Sequence, residues 1–153
     1  MPVWPPFSHS FSLVTISVFG LGYVGAVTSG CLSQIGHQII GVDVHEPKVR
    51  AFNEGRSPIV EPELDDMLQS ACREGRLRAT TDAAEAVAAS SISIICVGTP
   101  SLPSGSLDLG YVTHVTQQIA AALRQGFDAY VTKPIMKDRL FAEVDRFLAR
   151  RAG

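Results

Sequence analysis

The 153-residue sequence predicts an α/β fold: a three-layer, doubly wound, mainly parallel sheet with strand order 3-2-1-4-5. Three observations carry this expectation. Short runs of β-branched and apolar residues alternate with longer helical patterns, which is how βαβ units read in a sequence. The first of these runs stops at a glycine-rich turn, Gly20-Leu21-Gly22-Tyr23-Val24-Gly25. The second ends on an acid, Asp43.

The elements follow in chain order. Leu13 to Phe19 reads as a strand buried on both faces. After the glycine turn a helix runs to about Ile35, and Gly36 ends it. Gln38 to Asp43 is a second buried strand; Pro47 suits the first turn of a short helix that Gly55 closes. Ser57 to Glu63 is a loop holding two prolines, and a helix follows from about Pro62 to Glu74. Leu77 to Thr80 reads as an edge strand, and Asp82 caps the next helix, with Glu85 placed to complete a capping box. Ser91 to Val97 is the fourth strand, and Gly98 to Gly110 is the most loop-like stretch. Val112, Val115, Ile119, Ala122 and Leu123 line one side of a further helix. Ala129 to Thr132 reads as a fifth strand and Met136 to Arg150 as a closing amphipathic helix. Residues 1–12 read as a disordered extension without the basic start of a secretory signal. Residues 13–151 then form a single domain.

Composition narrows the function classes. A 46% hydrophobic, 18% charged chain is globular. A net charge of −2 gives no reason to expect nucleic acid, and no apolar run approaches the span of a membrane helix. The three cysteines, Cys31, Cys72 and Cys96, form neither a C-x-x-C pair nor a metal pattern. They read as small buried thiols in a reducing, cytoplasmic setting. Pairing of an exposed sheet edge with a second copy leaves a homo-oligomer open.

The turn carries the chemistry. In G-x-G-x-x-G after a strand and before a helix, Gly20 makes the tight bend. Gly22 lets the backbone approach a pyrophosphate, and Gly25 lets helix and strand pack closely. The phosphates then meet unpaired N–H groups at the positive end of a helix. Asp43 lies 18 residues after Gly25, near the spacing of about 20 at which an acid meets the ribose 2′-OH. A carboxylate there repels a 2′-phosphate and so favours NAD over NADP. The fold is therefore Rossmann-like and the expected cofactor is NAD. The bland alternatives are glycines that only shape a turn and a solvated acid at a strand end.

The strings ISVFGLGYVGAV, IIGVDVHEPKV, NEGRSPIVEPEL, GRLRATTD, ICVGTP and the later LDLGYV stand in the right order over residues 16–124. This stretch resembles the NAD-binding amino-terminal domain of the UDP-glucose/GDP-mannose dehydrogenase family, above all its GDP-mannose branch. Beside the contacts read from Gly20, Gly22 and Gly25, the resemblance implies cofactor contacts at Tyr23, Val24, Asp43, Lys48 and Thr99. Lys48 can bring an ammonium near ribose or phosphate, or be a solvated helix charge; Thr99 offers a hydroxyl at the ligand end of its strand, or is a turn residue. Glu61 is read as shaping its loop and stays outside the site. Family members oxidise a sugar C6 alcohol to the carboxylate in two steps with two NAD⁺. Their essential cysteine, lysine and carboxylates lie further downstream than this chain reaches, and none of its three cysteines matches that cysteine motif. The chain is expected to bind NAD(H) and to be inactive, or nearly so, on its own.

After Arg124 the string GFDAYVTKPIMKDRLFAEVDRFLARR resembles the last strand and helix of a response-regulator receiver, so that 126–151 reads as a grafted βα unit. The acid pair and phospho-accepting Asp of a receiver are missing, which argues against phosphotransfer. Lys133 would stand at the ligand end of the fifth strand, near the nicotinamide. The rival from another class is a non-catalytic signalling or scaffold module docking through helix 136–150.

Overall fold

A computed structural model describes residues 12–57 and 62–123. The strands are β1 (Thr15–Phe19), β2 (Gln38–Val42), β3 (Leu77–Thr80) and β4 (Ile92–Ile95). The helices are α1 (Tyr23–Gln34), α2 (Glu46–Asn53), α3 (Pro62–Arg73), α4 (Ala83–Ala88) and α5 (Gly110–Leu123). All strand pairs are parallel, in the order β3-β2-β1-β4. The α/β doubly wound sheet expected from the sequence is therefore present. The fifth strand, the 136–150 helix, Lys133 and residues 1–11 lie outside the described residues.

The central strands are buried because the pattern that makes them strands is apolar on both faces. In β1, Ile16, Val18 and Phe19 are buried, and in β2, Ile39, Ile40 and Val42 are buried. On one side α1 packs against β1 and β2 and lies along α3. On the other, Phe19, Ile40 and Val42 meet Ala83, Ala86 and Val87 of α4 and Val115 and Ile119 of α5. β4 is less completely buried than its Ile-rich sequence suggests, since it ends the sheet among the described residues. Next to it, a row of hydroxyls is satisfied internally: Ser17 Oγ lies 2.7 Å from Ser93 Oγ and accepts from Ser90 Oγ at 2.9 Å.

At the other edge, β3, a side chain satisfies part of the outward backbone. The Asn53 amide donates to the Ala79 carbonyl at 3.0 Å and accepts from the Ala79 N–H at 2.7 Å. The end of α2 thus satisfies backbone groups that an edge strand would leave open. Arg78, on the same strand, forms an ion pair with Glu85 at 2.6 Å.

Three local expectations are corrected. Asp82 caps α4, accepting at Oδ1 from the Ala84 and Glu85 N–H groups. The capping box is not closed, because the Asp82 N–H donates to Thr80 Oγ1 and the Glu85 carboxylate is turned to Arg78. Cys31 is exposed, whereas Cys96 is buried and Cys72 half-buried. The sheet-facing stripe of α1 runs through Gly25, Thr28, Ser29 and Leu32, so position 31 falls on the solvent side. In α5, Val115 and Ile119 are buried and Val112 half-buried, but Ala122 is exposed.

His37 sits at the tight turn before β2, 3% exposed, where its Nδ1 accepts the Val14 N–H at 3.4 Å. Burial pushes its pKa below the ordinary 6.5. The unfolded chain therefore takes up this proton at a higher pH than the folded one. Stability is intact above 6.5 and falls as the pH drops from there toward the folded value. Melting temperatures followed from about pH 7.5 to about pH 5.5 should fall more steeply for the wild type than for His37→Gln. Parallel curves would take His37 out of the acid response.

Candidate functional site

The chain runs β1, β2, β3 toward one edge and then returns to the far side of β1 for β4. The strand order therefore reverses between β1 and β4, and a crevice opens beyond their carboxyl ends. The glycine turn sits at that point. The Gly20 N–H donates to the Val42 carbonyl at 2.7 Å, and the Cys96 N–H donates to the Phe19 carbonyl at 2.7 Å. The turn is thus fastened to the ends of both neighbouring strands.

Each glycine has its own reason. Gly20 has φ +94°, and a Cβ there would lie 3.0 Å from the Cys96 carbonyl carbon and the Val97 nitrogen. Gly25 is in the first turn of α1, and a Cβ there would fall 1.8 Å from the Gly20 carbonyl oxygen. Gly22 is different: a Cβ would meet nothing within 4 Å. It is the N-cap residue of α1, with no side-chain cap and no acid in the first turn. The amides that open an α-helix have no intrahelical partner, so this end of α1 can hold an anion through backbone N–H groups and the helix dipole. Tyr23 is 58% exposed at the helix start, and Val24 is half-buried behind it.

Asp43 follows β2 and reaches the turn. Its Oδ2 accepts the Leu21 N–H at 2.8 Å and its Oδ1 accepts the His45 N–H at 3.0 Å. Lys48, from the first half of α2, places Nζ 3.5 Å from Oδ2; the Asp43 side chain is 9% exposed and the Lys48 side chain 41%. A pair at that distance and exposure contributes at most about 1 kcal/mol; the two N–H bonds hold the carboxylate more firmly. Turn, Asp43 and Lys48 are therefore one connected group. Thr99, half-buried, lies in the loop that leaves β4, on the same end of the sheet but without a hydrogen bond tying it to them. Past it the loop makes a small antiparallel bridge, Ser101 to Leu107.

The sequence reading missed the Leu21 amide. No side-chain pattern marks a backbone N–H, but the adjacency of the first two strands brings the residue after one beside the residue after the other. Leu21 itself is fully buried, and Gly41 of β2 makes room for it: a Cβ on Gly41 would lie 2.8 Å from Leu21 Cδ2. Among the described residues no group of His, Cys, Asp or Glu could hold a metal ion, and no helix is long and apolar enough to cross a membrane.

Comparison with known proteins gives the same picture from a separate direction. Residues 14–137 match the model of the UDP-glucose/GDP-mannose dehydrogenase family, NAD-binding domain. The chain is 56% identical over 110 residues to a GDP-mannose 6-dehydrogenase of Pseudomonas aeruginosa, covering 72% of this chain and 25% of that protein. It is 42% identical over 134 residues to a UDP-glucose 6-dehydrogenase of Rhizobium meliloti, covering 87% of this chain and 30% of that one. The crystal structure of a ternary complex of GDP-mannose dehydrogenase from Pseudomonas aeruginosa superimposes with a TM-score of 0.70 at 55% identity, over 72% of this chain and 25% of that one. The chain thus spans about a quarter of the length of such relatives. The family match continues past Arg124 through residue 137, so the pattern does not stop where the sequence reading ended it. The receiver-like reading of 126–151 gains no support.

The Gly25 contact gives a direct test. Gly25→Ala must move α1 away from β1 or distort the turn, and should cost more than about 3 kcal/mol by urea unfolding. A wild-type midpoint would show that the helix start is free to shift.

Proposed function

The chain belongs to the UDP-glucose/GDP-mannose dehydrogenase family, with its match in the NAD-binding domain, and on that footing we propose that the Gly20–Gly25 turn binds the pyrophosphate of NAD. The observation that carries this is the open space at Gly22 before the uncapped start of α1. The residues present suit the cofactor: amides and dipole for the phosphates, and a carboxylate at the rim for the adenosine ribose. In this reading Asp43 accepts from the ribose hydroxyls and turns away a 2′-phosphate, which selects NAD over NADP. Lys48 offsets part of its charge. Tyr23 and Val24 flank the phosphates at the helix start, and Thr99 offers its hydroxyl from the β4 side.

Bound NAD⁺ would accept hydride from a sugar C6 alcohol, as the names of the relatives suggest for the complete enzymes. The described cysteines are poorly suited to hold the aldehyde between two oxidations. Cys96 is buried. The Cys72 thiol donates to the Phe52 carbonyl at 3.4 Å, and burial pushes its pKa up. Cys31 lies on the exposed side of α1, away from the crevice end of the sheet. We therefore assign to this chain the binding and orientation of the nucleotide, and place sugar recognition and the nucleophile in the three quarters of the relatives' length that it does not match. A cytoplasmic setting belongs to the same proposal, since three free thiols suit a reducing compartment.

Calorimetric titration of NAD⁺ and NADP⁺ into the wild type and Asp43→Ala should show a preference for NAD⁺ that the substitution weakens. Equal affinity in all four combinations would remove the cofactor assignment. Gly22→Val fills the open space, so it should fold yet lose NAD⁺ affinity by more than about tenfold. Unimpaired binding by that variant would move the phosphates elsewhere.

A further inference from the structure

Resting on the NAD reading above, we propose that Asp43 is a positioning residue for the phosphate turn: before any nucleotide arrives, its carboxylate holds the Leu21–Gly22 segment in the open shape that a pyrophosphate needs. An acid whose sole task is to read a ribose needs free lone pairs facing the crevice. Here the side chain is only 9% exposed and both its oxygens already accept backbone N–H groups, from Leu21 at 2.8 Å and His45 at 3.0 Å.

The Leu21 bond is the informative one. It spans 22 residues of sequence and joins the turn after β1 to the end of β2. Leu21 is held from two sides: its side chain is fully buried against the space left by Gly41, while its amide is drawn to Asp43. With the neighbour thus fixed, Gly22 is presented to open space. The His45 N–H fixes the other carboxylate oxygen, so the acceptor is itself preorganised. Preorganised donors at a charged ligand raise affinity by removing the ordering cost from the binding step.

Electrostatics and positioning predict opposite signs, which makes the proposal testable. Removing a negative charge beside an anion site should tighten anion binding; removing a support for the turn should weaken it. The probe is inorganic pyrophosphate, which has no ribose for Asp43 to contact, titrated calorimetrically into the full chain. Asp43→Ala should weaken pyrophosphate about tenfold. Asp43→Asn, whose amide oxygen can still accept the Leu21 N–H although its NH2 gives up the His45 bond, should stay within about threefold of the wild type. Unchanged or tighter binding by Asp43→Ala, or a loss in Asp43→Asn as large as in Asp43→Ala, overturns the proposal. If Asp43→Ala does not fold, the nucleotide-free wild type decides: the Leu21 amide should exchange with solvent slowly by NMR, and exchange as fast as an open loop amide overturns the proposal. A wild type that fails to bind NAD⁺ sinks the cofactor reading instead, and the Leu21 exchange rate, measured without ligand, tells the two failures apart.

Discussion

The start of α1 lies so close to the end of β1 that no side-chain atom fits between them. A Cβ on Gly25 would be 1.8 Å from the Gly20 carbonyl oxygen, far inside any van der Waals distance. That approach sets the angle at which the helix leaves the sheet, and it points the helix N-terminus into the crevice between β1 and β4. The uncapped amides at the start of α1 lie just beyond this contact, with Tyr23 exposed beside them. A wider separation would tolerate a side chain at Gly25, but it would move the positive end of the helix off the crevice.

Around this contact the turn is held by groups that are distant in sequence. Val42 accepts the Gly20 N–H, Phe19 accepts the Cys96 N–H, and Asp43 accepts the Leu21 N–H. The three strand ends therefore form a frame and the glycines lie inside it. A frame of this kind costs little to reorganise when a ligand arrives, because the bonds that shape the turn are already made. In the proposed reading one acid serves two demands: the Asp43 carboxylate accepts the Leu21 and His45 N–H groups and keeps further lone pairs for a ligand at the rim.

The family relation and the physical reading cover the same stretch of chain but differ in reach. Similarity covers about a quarter of the relatives' length, and the described thiols are either withdrawn from solvent or placed away from the crevice. On the proposed reading the chain serves as a nucleotide platform. The Asn53 side chain takes up the outward carbonyl and N–H of Ala79 on the β3 edge.

Alternation of apolar runs with helical patterns was enough to define the sheet class, since burial on both faces demands that composition. The spacing of Gly20, Gly22 and Gly25 was enough to locate the turn, since a strand-to-helix turn this tight has no room for a Cβ at Gly20 or Gly25. The Asp82 cap was legible for the same reason: its partners are two and three residues away. The sequence did not reveal that Asp43 is bound to Leu21, that Asn53 bonds to Ala79 of β3, that Glu85 prefers Arg78 to the cap, or that Cys31 faces water. Each of these depends on which strand lies beside which, or on the rotation of a helix about its axis, and only packing fixes those quantities. Short-range hydrogen bonds and steric rules are written along the chain; a bond between residues 21 and 43 exists only after the sheet has brought two strand ends together.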